Sequence, residues 1–252
     1  MAKVLIPLPN LDFDPTETAI PWKILTKNSH QVVFGTPDGS SALADIRMLE
    51  GHGLGPFQGL RANATAREAY SEMLMDKNFQ NPKTWQDIRA QDFHAIILPG
   101  GHAKGMRPYL ESQVLQNLIT NFFLEKKLVG AICHGVVLVS RAKIADTGRS
   151  VLYGKKTTAL PKWMELSAWL MTCLWLGNYY RTYPQSVQDE VKSNLASSAD
   201  FLIGPLSLIR DSLTNQAGFV IEDGNFISAR WPGDAHRFAE VICTKLSKNN
   251  FE

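Results

Sequence analysis

The sequence predicts an α/β protein, with a mainly parallel sheet between two layers of helices, and three observations carry that expectation. Short apolar, strand-like runs alternate with longer amphipathic stretches along most of the chain. The runs "HAIILP" (94–99) and "KLVGAI" (127–132) are apolar on both faces, as strands covered on both sides must be. Late in the chain, "GFVIEDGNFISARWP" places a DG dipeptide between two alternating apolar runs, the pattern of an antiparallel hairpin.

Taken in order, the strands are expected at 3–9, 31–36, 94–99, 127–132 and 156–161 ("KTTALP"). Helices are expected between and after them, at 16–28, 65–77, 112–126, 134–143 and 162–176, with a last one in "DAHRFAEVICTKL". Such alternation gives parallel strands joined by right-handed crossovers. The segments 38–63 and 178–200 lack this order and are expected to be insertions in a single domain spanning 1–252.

Composition narrows the function. The 252 residues are 44% hydrophobic and 20% charged with a net charge of +2, which excludes disordered and fibrous classes and selects no charged partner. Lysine and arginine are scattered, so nucleic-acid binding has no support. The apolar run from Leu166 to Leu176 is shorter than the roughly 20 residues that span a bilayer. A buried core helix is expected there, and no membrane partner. Cys133, Cys173 and Cys243 are far apart, without a CxxC pair, which argues against a zinc knuckle or a disulfide framework and for a reducing compartment. The N-terminus enters strand "KVLIPLP" directly, so the cytoplasm is the expected location. His30, His52, His94 and His102 show no HxxxH or HExxH spacing, and no metal is expected. No nucleotide fingerprint follows the first strand, and no cofactor is expected.

Chemistry concentrates in "LVGAICHGVVLVSRAKI" (128–144), where one cysteine separates strand-formers from helix-formers. In an open parallel sheet, ligands bind at the carboxyl ends of the strands. A residue on the strand-to-helix turn is lifted above that edge beside the free N–H groups of the next helix. Cys133 is therefore the candidate nucleophile, with a thiol expected to ionise below its usual pKa of about 8.5. His134 is the candidate base, and it needs a third group to orient its ring. Glu165, opening the helix after "TTALP", is that candidate. The glycines of "LPGGH" suit an oxyanion hole at Gly101 shared with the His134 N–H. Glu17 in "DPTETAIPW" could hydrogen-bond the sulfur or shuttle a proton, its pKa raised by partial burial. Cys173 and Cys243 sit in apolar helical patterns and are expected to pack, while His102 could line the pocket mouth and His236 be capped by Asp234.

Together, "DPTETAIPW", "ILPGGH" and "AICHG" resemble the ThiJ/PfpI superfamily, and the resemblance runs from the first strand to the final helix. It implies a class I glutamine amidotransferase-like domain of flavodoxin-like, three-layer architecture. It implies too that the acid following the next strand, Glu165 in "TTALPKWME", completes a Cys133–His134–Glu165 site within one chain. That arrangement is similar to the longer branch of holdase chaperones and glutathione-independent glyoxalases. The implied activity is conversion of a small reactive carbonyl, methylglyoxal to lactate, by a homodimer without cofactor. The alternatives are a holdase or redox sensor using the same cysteine, or an amidase- or peptidase-like hydrolase. The aromatic stretches "WLGNYYRTYPQSVQDEV" and "SARWPGDAHRF" depart from the chaperone branch and imply a different substrate pocket.

Overall fold

The computed structural model describes residues 1–248. Its strands are β1 (Lys3–Pro7), β2 (Leu11–Phe13), β3 (Gln31–Thr36), β4 (Leu43–Ala44), β5 (Lys83–Thr84), β6 (Ala95–Leu98), β7 (Leu128–Ile132), β8 (Val220–Asp223) and β9 (Phe226–Ala229). Its α-helices are α1 (Pro15–Lys27), α2 (Ile46–Glu50), α3 (Ala64–Met73), α4 (Lys77–Gln80), α5 (Arg107–Leu110), α6 (Gln113–Leu124), α7 (Gly135–Arg141), α8 (Lys162–Leu176), α9 (Val187–Ser193) and α10 (Ala235–Lys248).

Seven strands form one sheet in the order β5-β3-β1-β6-β7-β9-β8, parallel except for the terminal β8–β9 hairpin. The fold is the flavodoxin-like α/β architecture. Strands β6 and β7 are buried along their whole length, which matches their two-sided apolar sequences. Helices α1, α3 and α10 cover one face, and α6 and α7 the other. Asp14 starts α1: its Oδ1 accepts from the N–H groups of Thr16 and Glu17 at 2.8 and 3.0 Å, and Pro15 follows at the first helical position.

The fifth expected strand, 156–161, is not one. Thr157 makes only an isolated bridge to Phe201. The place beside β7 is taken by β9, with Val129 opposite Phe226 and Ile132 opposite Ala229. Residues 157–158 lie across β9 instead, bound to the Ser228 hydroxyl at 3.2 and 3.0 Å. Helix α8 also differs from the expected core helix. It buries Met164, Glu165 and Thr172, but leaves Leu170 and Leu174 70% and 92% exposed. Among the described residues, no helix is long and apolar enough to cross a membrane.

Because β1, β6, β7 and β9 run the same way, their carboxyl ends deliver four loops to one edge. These carry Asp14 and Glu17, Gly100 to His102, Cys133 and His134, and Arg230 and Trp231. A further segment, 202–218, straps across this edge. Arg230 Nη1 donates to Pro205 O at 2.8 Å, and the Asp211 N–H to Gly233 O at 2.7 Å. Asp211 also accepts from the N–H groups of His236 and Arg237, at 3.2 and 2.8 Å, and from His236 Nδ1 at 3.1 Å. Asp211 therefore holds the start of α10, where Asp234 is expected. Asp234 is buried and committed to Arg230, with two contacts of 2.9 Å.

Candidate active site

Cys133 occupies the turn between β7 and α7 with φ of 57°, the left-handed conformation that costs a non-glycine residue roughly 1–2 kcal/mol. The turn is tight enough to dictate its neighbours. A Cβ on Gly135 would stand 2.0 Å from Leu98 O, and one on Gly100 would stand 2.7 Å from His134 N. The bend places the sulfur 3.4 Å from His134 Nδ1.

The imidazole is oriented by Thr182, which the sequence did not single out. Thr182 Oγ1 lies 2.7 Å from the His102 carbonyl and 3.1 Å from His134 Nε2. A carbonyl has no proton, so the single hydroxyl proton goes to His102 O, and Thr182 accepts from His134 Nε2–H. Nδ1 is thus the proton-free nitrogen, and it faces the Cys133 thiol.

Glu165 does not take that place. Its Oε2 accepts from the Val187 N–H at 2.9 Å, and its Oε1 lies 3.5 Å from Arg181 Nε. It lines the same cavity as Cys133 but makes no hydrogen bond to His134. The reason is geometric: with 156–161 displaced from the sheet, α8 starts over the cavity, not beside the elbow.

Glu17 is brought to the cysteine. Fully buried, its Oε2 accepts from the Gly100 N–H at 2.7 Å. Its Oε1 lacks a partner of ordinary hydrogen-bond geometry, and the Cys133 thiol is a neighbour that acts on the carboxyl as a hydrogen-bond donor. Of the glycine pair, Gly100 abuts Cys133 and His134, whereas Gly101 is threaded between Asp12 O and Met106.

Burial drives each of these groups toward its neutral form. It pushes the Glu17 carboxyl well above the ordinary range, aided by the charge of Asp14. Asp14 rises to about 6 by burial, against hydrogen bonds from Glu17 and Thr16 and the charge of Arg210. Glu165 rises to about 7, again mainly by burial. Burial pushes His134 down to about 3, with His102 and Arg141 adding to it, and His102 down to about 4. The direction is opposite to the low pKa expected for the thiol: burial foremost pushes Cys133 well above its usual range. Helix α7 has only seven residues, and the His134 N–H aimed at the sulfur does not offset that desolvation. The resting pair is a thiol against a neutral imidazole.

Of these residues, Cys133, Asp14, Glu165 and His102 line an apolar cavity of about 250 Å³. Its walls include Met48 and Leu60 from the first expected insertion, Tyr180 from the second, and Leu208 and Arg210 from the strap. The His102 ring lies 4.5 Å from that of Tyr180. Cys243 packs in the core as expected, while Cys173 is half-buried. Among the described residues, no group of three His, Cys, Asp or Glu side chains could hold a metal ion.

A family model described as ThiJ/PfpI family-like matches residues 8–197. The glutathione-independent glyoxalase hsp3102 of Schizosaccharomyces pombe is 28% identical over 151 residues, 58% of this chain and 59% of that protein. The glutathione-independent glyoxalase hsp3101 of the same yeast is 24% identical over 233 residues, 89% of this chain and 83% of that one. Matches to the first three curated relatives span 58–62% of those relatives' lengths. Among solved structures, glyoxalase III from Candida albicans superposes with a TM-score of 0.69 at 17% identity, covering 96% of each chain. The Rapid Encystment Protein of Francisella tularensis superposes at 0.70 and 18% identity, covering 98% of this chain and 99% of that one.

Proposed function

The chain belongs to the ThiJ/PfpI family, and from that premise we propose that it is a glutathione-independent glyoxalase that converts methylglyoxal and water to lactate through Cys133. The observation that carries the proposal is the thiol of Cys133 held 3.4 Å from the proton-free nitrogen of His134, at the wall of a cavity sized for a small substrate. Relatives named as glyoxalases support it.

In the proposed sequence, His134 Nδ1 takes the thiol proton as the sulfur attacks the aldehyde carbon, and the imidazolium then protonates the new alkoxide to give a hemithioacetal. The His134 N–H, already aimed at the sulfur, holds the oxygen while its charge develops. The same imidazole next removes the proton from the former aldehyde carbon to form an enediol, and returns a proton to the neighbouring carbon. This leaves a lactoyl thioester. Water, deprotonated by His134, attacks its carbonyl, and the departing sulfur recovers a proton. The neutral carboxyl of Glu17 hydrogen-bonds the sulfur throughout, and its neutrality keeps it from repelling the developing thiolate.

Proton NMR of methylglyoxal incubated with the protein in the absence of any thiol tests the proposal. Lactate should accumulate with the wild type and not with Cys133→Ser. Equal rates from the two proteins, or no lactate from either, would reject it.

A holdase role is the second reading, favoured by one observation: Leu170 and Leu174 of α8 and Leu206 and Ile209 of the strap are all more than 60% exposed. Suppression of a client protein's aggregation that persists in Cys133→Ser but fails in Leu174→Lys would favour it.

A further inference from the structure

The cavity beside Cys133 is apolar in its walls, yet five buried polar atoms of residues lining it have no hydrogen-bond partner among the described residues. They are Arg210 Nη1, Tyr180 Oη, Trp163 Nε1, Trp231 Nε1 and His102 Nε2. An unpaired buried polar group costs about 1–3 kcal/mol, and five on residues around one small space point to a polar occupant there. Three of the five, Arg210 and the two tryptophans, can only donate. The ligand they fit is rich in acceptor oxygens.

Arg210 gives that ligand its charge. It is the only lysine or arginine lining the cavity among the described residues. Its guanidinium is held at one end, where Nη2 donates to the carbonyls of Gly59, Leu60 and Arg61 at 3.3, 3.5 and 3.3 Å. The other end, Nη1, is left free of partners. The strap fixes this pose, because the next residue, Asp211, is tied to Gly233, His236 and Arg237. Arg210 lies 5.3 Å from the Trp231 ring, and the two residues also border an outer hollow of about 320 Å³. Asp14 lines the inner cavity as well; its Oδ1 is engaged by Thr16 and Glu17, and its carboxylate can accept from a ligand hydroxyl.

We propose that Arg210 Nη1 and Tyr180 Oη form a carboxylate subsite for a short 2-hydroxy acid, with Asp14 accepting from its hydroxyl. Resting on the glyoxalase assignment, this deepens it: the subsite receives the carboxylate that the reaction creates, and makes the product a competitive inhibitor.

The test is titration of the full chain with lactate and with its neutral amide, lactamide, followed by calorimetry and by the fluorescence of Trp163 and Trp231. The wild type should bind lactate roughly tenfold or more tightly than lactamide, the effect of one charge-assisted hydrogen bond in a dry site. Arg210→Gln should remove that preference, and Tyr180→Phe should reduce it by roughly three- to tenfold. Arg210→Lys, which keeps charge without the planar fork, should retain part of it. Equal binding of lactate and lactamide by the wild type, or a preference that survives Arg210→Gln, overturns the proposal. Should methylglyoxal turnover be absent while lactate is still preferred, the reaction falls and the subsite stands; turnover without the preference removes the subsite alone.

Discussion

Replacing Thr182 by valine removes one oxygen and almost no volume, and so isolates the group that sets the tautomer of His134. In the wild type the hydroxyl spans 2.7 Å to His102 O and 3.1 Å to His134 Nε2. Valine leaves a buried carbonyl and a buried N–H without partners. At about 1–3 kcal/mol for each, the variant should lose about 2–6 kcal/mol of stability, measurable by urea unfolding. The chemical effect is separate. Without an acceptor at Nε2, the tautomer with its proton on Nδ1 is no longer disfavoured, and that tautomer presents a proton, not a lone pair, to the sulfur 3.4 Å away. Loss of about 1.4 kcal/mol of bias shifts the tautomer ratio tenfold, which takes the competent imidazole from about nine-tenths to about one half. Alkylation of Cys133 by iodoacetamide, followed by peptide mass spectrometry to separate it from Cys173 and Cys243, should slow about twofold at pH 7.5, and Thr182→Ser should restore it. A folded Thr182→Val protein alkylated at the wild-type rate would refute the tautomer assignment.

Glu165 titrates near 7 in the fold against an ordinary 4.5. A raised acid contributes its stability below the unfolded pKa and loses it as pH climbs through the folded one, so unfolding free energy should fall by up to about 3 kcal/mol between pH 4.5 and 8; Glu165→Gln should flatten that decline, and an unchanged profile would contradict it. His102, depressed to about 4 from 6.5, acts with the opposite sign: its contribution is complete above 6.5 and lost as pH falls through 4, so His102→Gln should protect against acid unfolding in that window, as circular dichroism would report. Gly135→Ala would drive a Cβ to 2.0 Å from Leu98 O, backbone with nowhere to go, and should cost more than about 3 kcal/mol or prevent folding. Near-wild-type melting of that variant would show that the elbow is looser than described.

Much of the fold was legible because period and burial agreed. Strands β6 and β7 are apolar on both faces and lie at the sheet centre, and the DG turn forms the β8–β9 hairpin. The run 156–161 misled because a short threonine-rich segment ending in proline satisfies a strand pattern locally, while the place beside β7 is decided by long-range pairing with β9. In the site, Cys133, His134 and Glu17 were readable from their positions at strand ends. Thr182, Tyr180 and Arg210 were not, since each lies in irregular chain and reaches the cavity only through tertiary contacts. The strap 202–218 lacks periodicity, and its anchor, the Asp211–His236 pair, joins residues 25 apart in sequence. The thiol's protonation was misjudged because a strand-to-helix turn signals a helix N-terminus, whereas desolvation depends on how deeply the folded chain buries the sulfur.

In the proposed reaction Cys133 forms a covalent bond to the carbonyl substrate with His134 as its proton acceptor. Acid quenching during turnover, followed by peptide mass mapping, tests it most directly. An adduct carrying the mass of one methylglyoxal on the Cys133 peptide, present in the wild type and absent from His134→Phe treated identically, is the predicted result. Turnover that proceeds with no adduct on that peptide, or an adduct that forms as fast without the imidazole, would contradict it.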